Sequence, residues 1–178
     1  MPCPKHFHLT PPDEFMFGPP TLPVVFDSGD EPGLIVTLGS SGENTQCWRR
    51  NSATHRTVYP GAECSNQYDY MFIFTSDGRI LQWDQDADEM YVLRGDQTGG
   101  SLFFIPERDL FVAPSGASSD WKPFYQWSYD TETLRLVSMQ DSKYCIGRLH
   151  TLYQVSVDEC QCQNLDSYNS GFGFKVDI

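Results

Sequence analysis

Apolar residues in this chain fall in short runs, many of them alternating with polar ones. Clusters of Gly, Pro, Ser and Asp close the runs, as at Ser76-Asp-Gly, Thr98-Gly-Gly and Pro114-Ser-Gly. A period of two with β-branched and aromatic residues predicts half-buried strands, and the Gly and Asp clusters supply the backbone freedom and side-chain caps that turns need. No helical period longer than two turns stands out. The runs also recur as a longer phrase, three times, about fifty residues apart. The first copy reads Gly33-Leu-Ile-Val-Thr-Leu, Gln46-Cys-Trp-Arg, Thr57-Val-Tyr-Pro-Gly-Ala-Glu-Cys64 and Tyr70-Met-Phe-Ile-Phe74. The second reads Gly78-Arg-Ile-Leu-Gln-Trp83, Met90-Tyr-Val-Leu-Arg94, Ser101-Leu-Phe-Phe-Ile105 and Phe124-Tyr-Gln-Trp127. The third reads Thr133-Leu-Arg-Leu-Val-Ser138, Lys143-Tyr-Cys-Ile-Gly147, Tyr153-Gln-Val-Ser-Val-Asp-Glu-Cys160 and Phe172-Gly-Phe-Lys-Val176.

Each copy predicts four strands, with boundaries near 33–77, 78–130 and 131–178. One such copy has an apolar face with nothing to cover it. Three copies about a pseudo-threefold axis bury those faces in a shared core and close a barrel. The expected fold is therefore all-β, a β-trefoil over residues 24–178; a β-sandwich is the second choice and leaves the threefold period unexplained. Ahead of it, residues 1–23 carry seven prolines, which fix φ and remove backbone donors, so an extended arm is expected there. Phe7, Phe15, Met16 and Phe17 suggest that this arm packs on the domain.

Cysteine placement adds to the picture. Cys47 and Cys64 in the first copy, and Cys145 and Cys160 in the third, occupy equivalent places, while the second copy has Val92 instead. That argues for bridges Cys47–Cys64 and Cys145–Cys160. The remaining pair, Cys3–Cys162, would tie the arm to the last copy, although six cysteines formally allow fifteen connectivities. Bridges imply an oxidising compartment. No secretory leader is visible, so either a leader has been removed from a secreted chain or the thiols are free in the cytosol. The matched pairs favour secretion. The formal charge of −12 disfavours nucleic acid and anionic membranes as partners, and no stretch nears the length of a membrane span.

The stretch from Cys47 through Cys64 to Phe72-Ile-Phe-Thr-Ser-Asp-Gly-Arg-Ile80, and again Thr133 to Val176, resembles the ricin-B-type β-trefoil family. The resemblance implies carbohydrate binding in shallow surface pockets. The family places an Asp just after the first cysteine and a Gln-x-Trp near the closing strand. Here Trp48 follows Cys47, Ile146 follows Cys145, and the nearest match is Tyr125-Gln126-Trp127, one place out of register. The aromatics Phe72, Trp127 and Phe172 are simpler to read as core.

Candidate chemistry lies elsewhere. Trp48, Arg49, Arg50, His55 and Tyr59 form a cluster of rings and guanidinium groups suited to stacking on a sugar or holding an acidic group. Arg94, Gly95 and Asp96 spell an integrin-type tripeptide in a predicted turn between the second and third strands of copy two. The run Asp84 to Glu89 is an acidic strand-to-strand turn whose spacing fails the EF-hand pattern. His6 and His8 near Cys3 make a weak metal signal. No nucleophile elbow, zinc-protease helix or phosphate loop is present, so neither catalysis nor a cofactor is expected. The function expected is a secreted, non-catalytic module that binds a glycan or an extracellular protein. The alternative is an interaction or protease-inhibitor-like trefoil that acts through its loops, the longest being 107–122 with Trp121 near its end.

Overall fold

The computed structural model describes residues 32–37, 46–51, 54, 57–58, 67–130, 135–149, 154–160 and 172–175. These residues form an all-β, antiparallel structure with no α-helix among them. The strands are β1 (Leu34–Thr37), β2 (Gln46–Cys47), β3 (Arg49–Arg50), β4 (Thr57–Val58), β5 (Ile73–Phe74), β6 (Ile80–Asp84) and β7 (Glu89–Arg94). They continue with β8 (Phe103–Pro106), β9 (Trp127–Asp130), β10 (Arg135–Ser138), β11 (Tyr144–Leu149), β12 (Gln154–Glu159) and β13 (Phe172–Lys175). Short 3-10 turns cover Tyr68–Tyr70 and Glu107–Asp109. Every predicted apolar phrase overlaps at least one of these strands, although Phe124-Tyr-Gln-Trp127 meets β9 only at Trp127. The second phrase of the first copy is split at Trp48, whose backbone N–H turns to the carbonyl of Ile35 at 2.8 Å. The Pro-rich arm 1–23 lies outside the described residues.

The strands form three sheets, ordered β13-β1-β2, β3-β4-β12-β11-β10-β9 and β5-β6-β7-β8. The first joins distant parts of the chain: Leu34 stands opposite Lys175 and Thr37 opposite Phe172. Among the described residues, the larger core fills the space between the sheets. It contains Ile35, Trp48, Phe72 and Phe74, then Ile80, Leu93, Phe104 and Trp127, then Leu136, Ile146, Val155 and Val157. Phe72 stacks on Phe104 at 5.6 Å between centroids and meets the edge of Trp48 at 6.1 Å. Phe72 and Trp127 are thus core residues, as their positions in the repeat predict; the side chain of Phe172 lies outside the described set.

The sheet β5-β6-β7-β8 is apolar on both faces, because its strands place apolar residues at consecutive positions. Ile80, Leu93 and Phe104 enter the main core, and their neighbours Leu81, Val92 and Ile105 point the other way. Register sets Ile73, Leu81, Val92 and Ile105 in one row across all four strands. Trp83 and Met90 form the adjacent pair on this outer face. Leu110 drops onto the row and is buried there with Leu81 and Val92. The turn into β6 needs glycine at position 78. Its φ is +91°, and a Cβ would lie 2.6 Å from the carbonyl oxygen of Trp127.

Cys145 and Cys160 are bridged across the β11–β12 hairpin, as their spacing predicts. Cys47 is also disulfide-bonded. Its expected partner Cys64, and both members of the expected pair Cys3–Cys162, lie outside the described residues.

Candidate functional site

The predicted ring-and-guanidinium cluster does not come together as a surface. Trp48 is fully buried and packs against Phe72, so its ring offers no platform to a sugar. Its neighbours in the strand diverge, because consecutive residues face opposite ways. Arg49 points to solvent, pairs with Asp69 at 2.7 Å and lies 5.9 Å from the Tyr70 ring. Arg50 points inward. Its guanidinium meets Asp84 at 3.0 Å and lies over the Tyr91 ring at 5.0 Å. Burial pushes the Asp84 carboxyl up. The Ala87 N–H, the Arg50 charge and hydrogen bond, and the Asp86 N–H outweigh this and hold it below the ordinary carboxylate value. His55 and Tyr59 lie outside the described residues. The repeat itself carried a signal for Trp48: it occupies the position of Leu93 and Ile146, both core residues.

The Arg-Gly-Asp tripeptide also has a structural role, and this corrects its reading as an integrin-type motif. A ligand for integrins must project its Arg and Asp from a free turn. Here Arg94 is 3 % exposed and turns inward at the end of β7. Gly95 is buried where a Cβ would lie 2.6 Å from Val157 and 2.9 Å from Leu102, so glycine serves the close approach of β12. Asp96 folds back on Arg94, Oδ1 to Nε at 3.0 Å, off the hydrogen-bond axis, so the contact is ionic. Burial pushes the Asp96 carboxyl above its ordinary value, against the opposing pull of the Arg94 charge.

What Arg94 does is hold the long loop. Its Nη1 donates to the carbonyls of Asp109 at 3.1 Å, Leu110 at 3.2 Å and Val112 at 2.9 Å. One face of the guanidinium lies 5.4 Å from the Phe103 ring, and Trp121 lies 5.2 Å away. One buried cation therefore fixes both the beginning of the loop and its end. Backbone turns fill the interval: Leu110 donates to Glu107, Val112 to Asp109, Ala117 to Pro114 and Trp121 to Ser118. Outside, Arg79 bonds Glu107 at 2.9 Å, and Arg108 bonds Glu89. The sequence marks this loop by its length and by Trp121. Its anchor was not visible there, because the carbonyls that take Arg94 lie 15 to 18 residues further on.

Held this way, the loop buries Leu110 and displays the next two residues. Phe111 is 65 % exposed and Val112 59 %, with the Phe111 ring edge-on to Tyr125 at 5.2 Å. Trp83 is also exposed on the same sheet face. The acidic turn Asp84–Glu89 forms the link between β6 and β7, with Asp86 and Asp88 in solvent and Asp84 turned inward to Arg50. Among the described residues no group of His, Cys, Asp and Glu is arranged to hold a metal ion, and no helix is long and apolar enough to cross a membrane. His6 and His8 lie outside that set. Compared with known proteins, the chain matches no family model and no curated protein.

Proposed function

We propose that the chain is a secreted, non-catalytic module of β-trefoil type that recognises a protein surface through the loop held by Arg94. The pairing scheme supports the trefoil. Cys47, Val92 and Cys145 stand opposite Val36, Leu81 and Val137 in three equivalent hairpins. The closing strand of one copy pairs with the opening strand of the next at β5–β6 and at β9–β10, and β13 returns to β1. The Cys145–Cys160 bridge supports an oxidising compartment.

The observation that carries the function is the pair Phe111 and Val112, exposed at adjacent positions on a loop whose backbone is fixed from beneath. A loop ordered in advance loses little conformational entropy when a partner docks, and aromatic side chains supply large contact area. A protein surface fits this arrangement better than a sugar, since the Trp48 ring proposed for stacking is fully buried.

The test is retention of proteins from extracellular fluid on immobilised chain, compared with the double variant Phe111→Ser, Val112→Ser. Both positions are exposed, so the fold should survive. The expected result is a specifically retained protein whose yield falls at least tenfold with the variant. Equal retention by both forms, or a glycan-array signal indifferent to the variant, would count against the reading.

A further inference from the structure

The outer face of the sheet β5-β6-β7-β8 is apolar at its centre and acidic at its margin. Trp83, Met90, Ile105, Tyr125 and Phe111 lie exposed or half-buried around the buried row capped by Leu110. Between Gln67 and Asp130 the chain carries eleven carboxylates and four basic residues. Arg94 is buried against Asp96. Arg79 is shared by Asp77 and Glu107, and Arg108 is engaged by Glu89 with Asp109 nearby. These three cations are thus already matched by carboxylates and the fourth, Lys122, is exposed at the end of the long loop, while Asp86 and Asp88 stand exposed on the turn beside Trp83 and Met90.

We infer that this face docks a basic protein segment: an apolar side chain seated against Phe111 and Trp83, flanked by Lys or Arg that meet Asp86, Asp88 and Asp109. This deepens the proposed function and rests on it. Charge complementarity selects the occupant. An acidic or neutral segment would leave the marginal carboxylates without a partner or facing like charge. A second copy of the chain would bring the same acidic turn against itself and join two molecules of charge −12. Anionic lipid is repelled for the same reason. The arrangement also predicts fast association that weakens as salt rises, since exposed charges steer encounter and salt screens them.

Three synthetic peptides test the inference on the intact, oxidised chain: Lys-Lys-Leu-Phe-Leu-Lys-Lys, the same core flanked by Glu, and the same core flanked by Ser. Binding is read by tryptophan fluorescence and by chemical-shift perturbation at Trp83. The Lys peptide should bind at least tenfold more tightly than the other two, with an affinity that falls with salt. Asp86→Asn with Asp88→Asn should lower its affinity several-fold, and Phe111→Ser should abolish it. Equal affinity for the three peptides overturns the inference, as does a Lys-peptide affinity indifferent to Phe111→Ser. Sedimentation supplies a further arm: self-association abolished by Phe111→Ser would make a second copy the occupant and overturn the basic segment. A retained extracellular protein that needs Phe111 but ignores Asp86→Asn and Asp88→Asn would leave the proposed function standing and remove the basic partner. Retention indifferent to all three variants would remove both.

Discussion

Arg50 and Arg94 are two cations taken out of water by different solutions. Arg50 is matched by one carboxylate and two rings, Tyr91 at 5.0 Å and Phe104 at 6.0 Å. Arg94 is matched by one carboxylate and three carbonyl oxygens. Removing the carboxylate from the first leaves a guanidinium buried without its counter-charge. Asp84→Asn should therefore cost about 3 kcal/mol, measured by urea unfolding. The more conservative double change, Arg50→Met with Asp84→Asn, should recover most of it. The acid dependence follows from the depressed Asp84 carboxyl. A carboxyl held low in the folded state contributes stability in full above its unfolded pKa and loses it as pH falls through the folded one. The Asp84→Asn protein should accordingly show a shallower loss of stability below the ordinary aspartate range. Asp96 acts with the opposite sign. Its raised carboxyl favours the protonated form in the fold, so its own contribution improves as pH falls through that value.

At the scale of elements, two hairpins from equivalent places differ in how they are held. The β11–β12 hairpin carries the bridge between Cys145 and Cys160, with a sequence separation of 15. Closing a loop of that size in the unfolded chain is worth about 3 kcal/mol in the chain-entropy account. The β7–β8 hairpin has no bridge; Val92 stands in the cysteine's place, and the Arg94 contacts follow it. Reduction, or Cys145→Ala with Cys160→Ala, should thus lower stability by about 3 kcal/mol and leave the β7–β8 region ordered. Hydrogen exchange resolved by segment checks both halves of this: protection should fall at Tyr144–Glu159 and persist at Glu89–Pro106. If both regions lose protection together, the two hairpins unfold as one unit.

The whole molecule explains what the sequence could and could not disclose. Strand positions were legible because they depend on local alternation, and each phrase has the same period; Gly78 and the cysteine pair 145 and 160 were legible from turn chemistry and spacing. Trp48 looks exposed beside Arg49 and Arg50, yet its counterparts in the repeat, Leu93 and Ile146, are core residues and so is Trp48. The fate of Arg94 was not legible at all. A guanidinium buried under carbonyls of a distant loop depends on tertiary packing, and a three-letter motif gives no hint of it. Exposed Phe111 and Val112 were hidden in the same way, since adjacent Leu110 has the same apolar character and is buried.

The pairing of β1 with β13 carries a consequence for biosynthesis. Leu34–Thr37 find their partners in Phe172–Lys175, at the far end of the chain. A nascent chain on the ribosome can form the local hairpins β6–β7 and β11–β12 as they emerge, yet the outer side of β1 must wait until β13 leaves the exit tunnel. During that interval β1 is covered by β2 on one side and presents the other as an open edge. A chain ending at Asn169 should consequently remain aggregation-prone and bind chaperones, and adding a synthetic peptide spanning residues 170–178 should restore the native circular-dichroism spectrum. The fold of this domain therefore closes only once its last strand has been made.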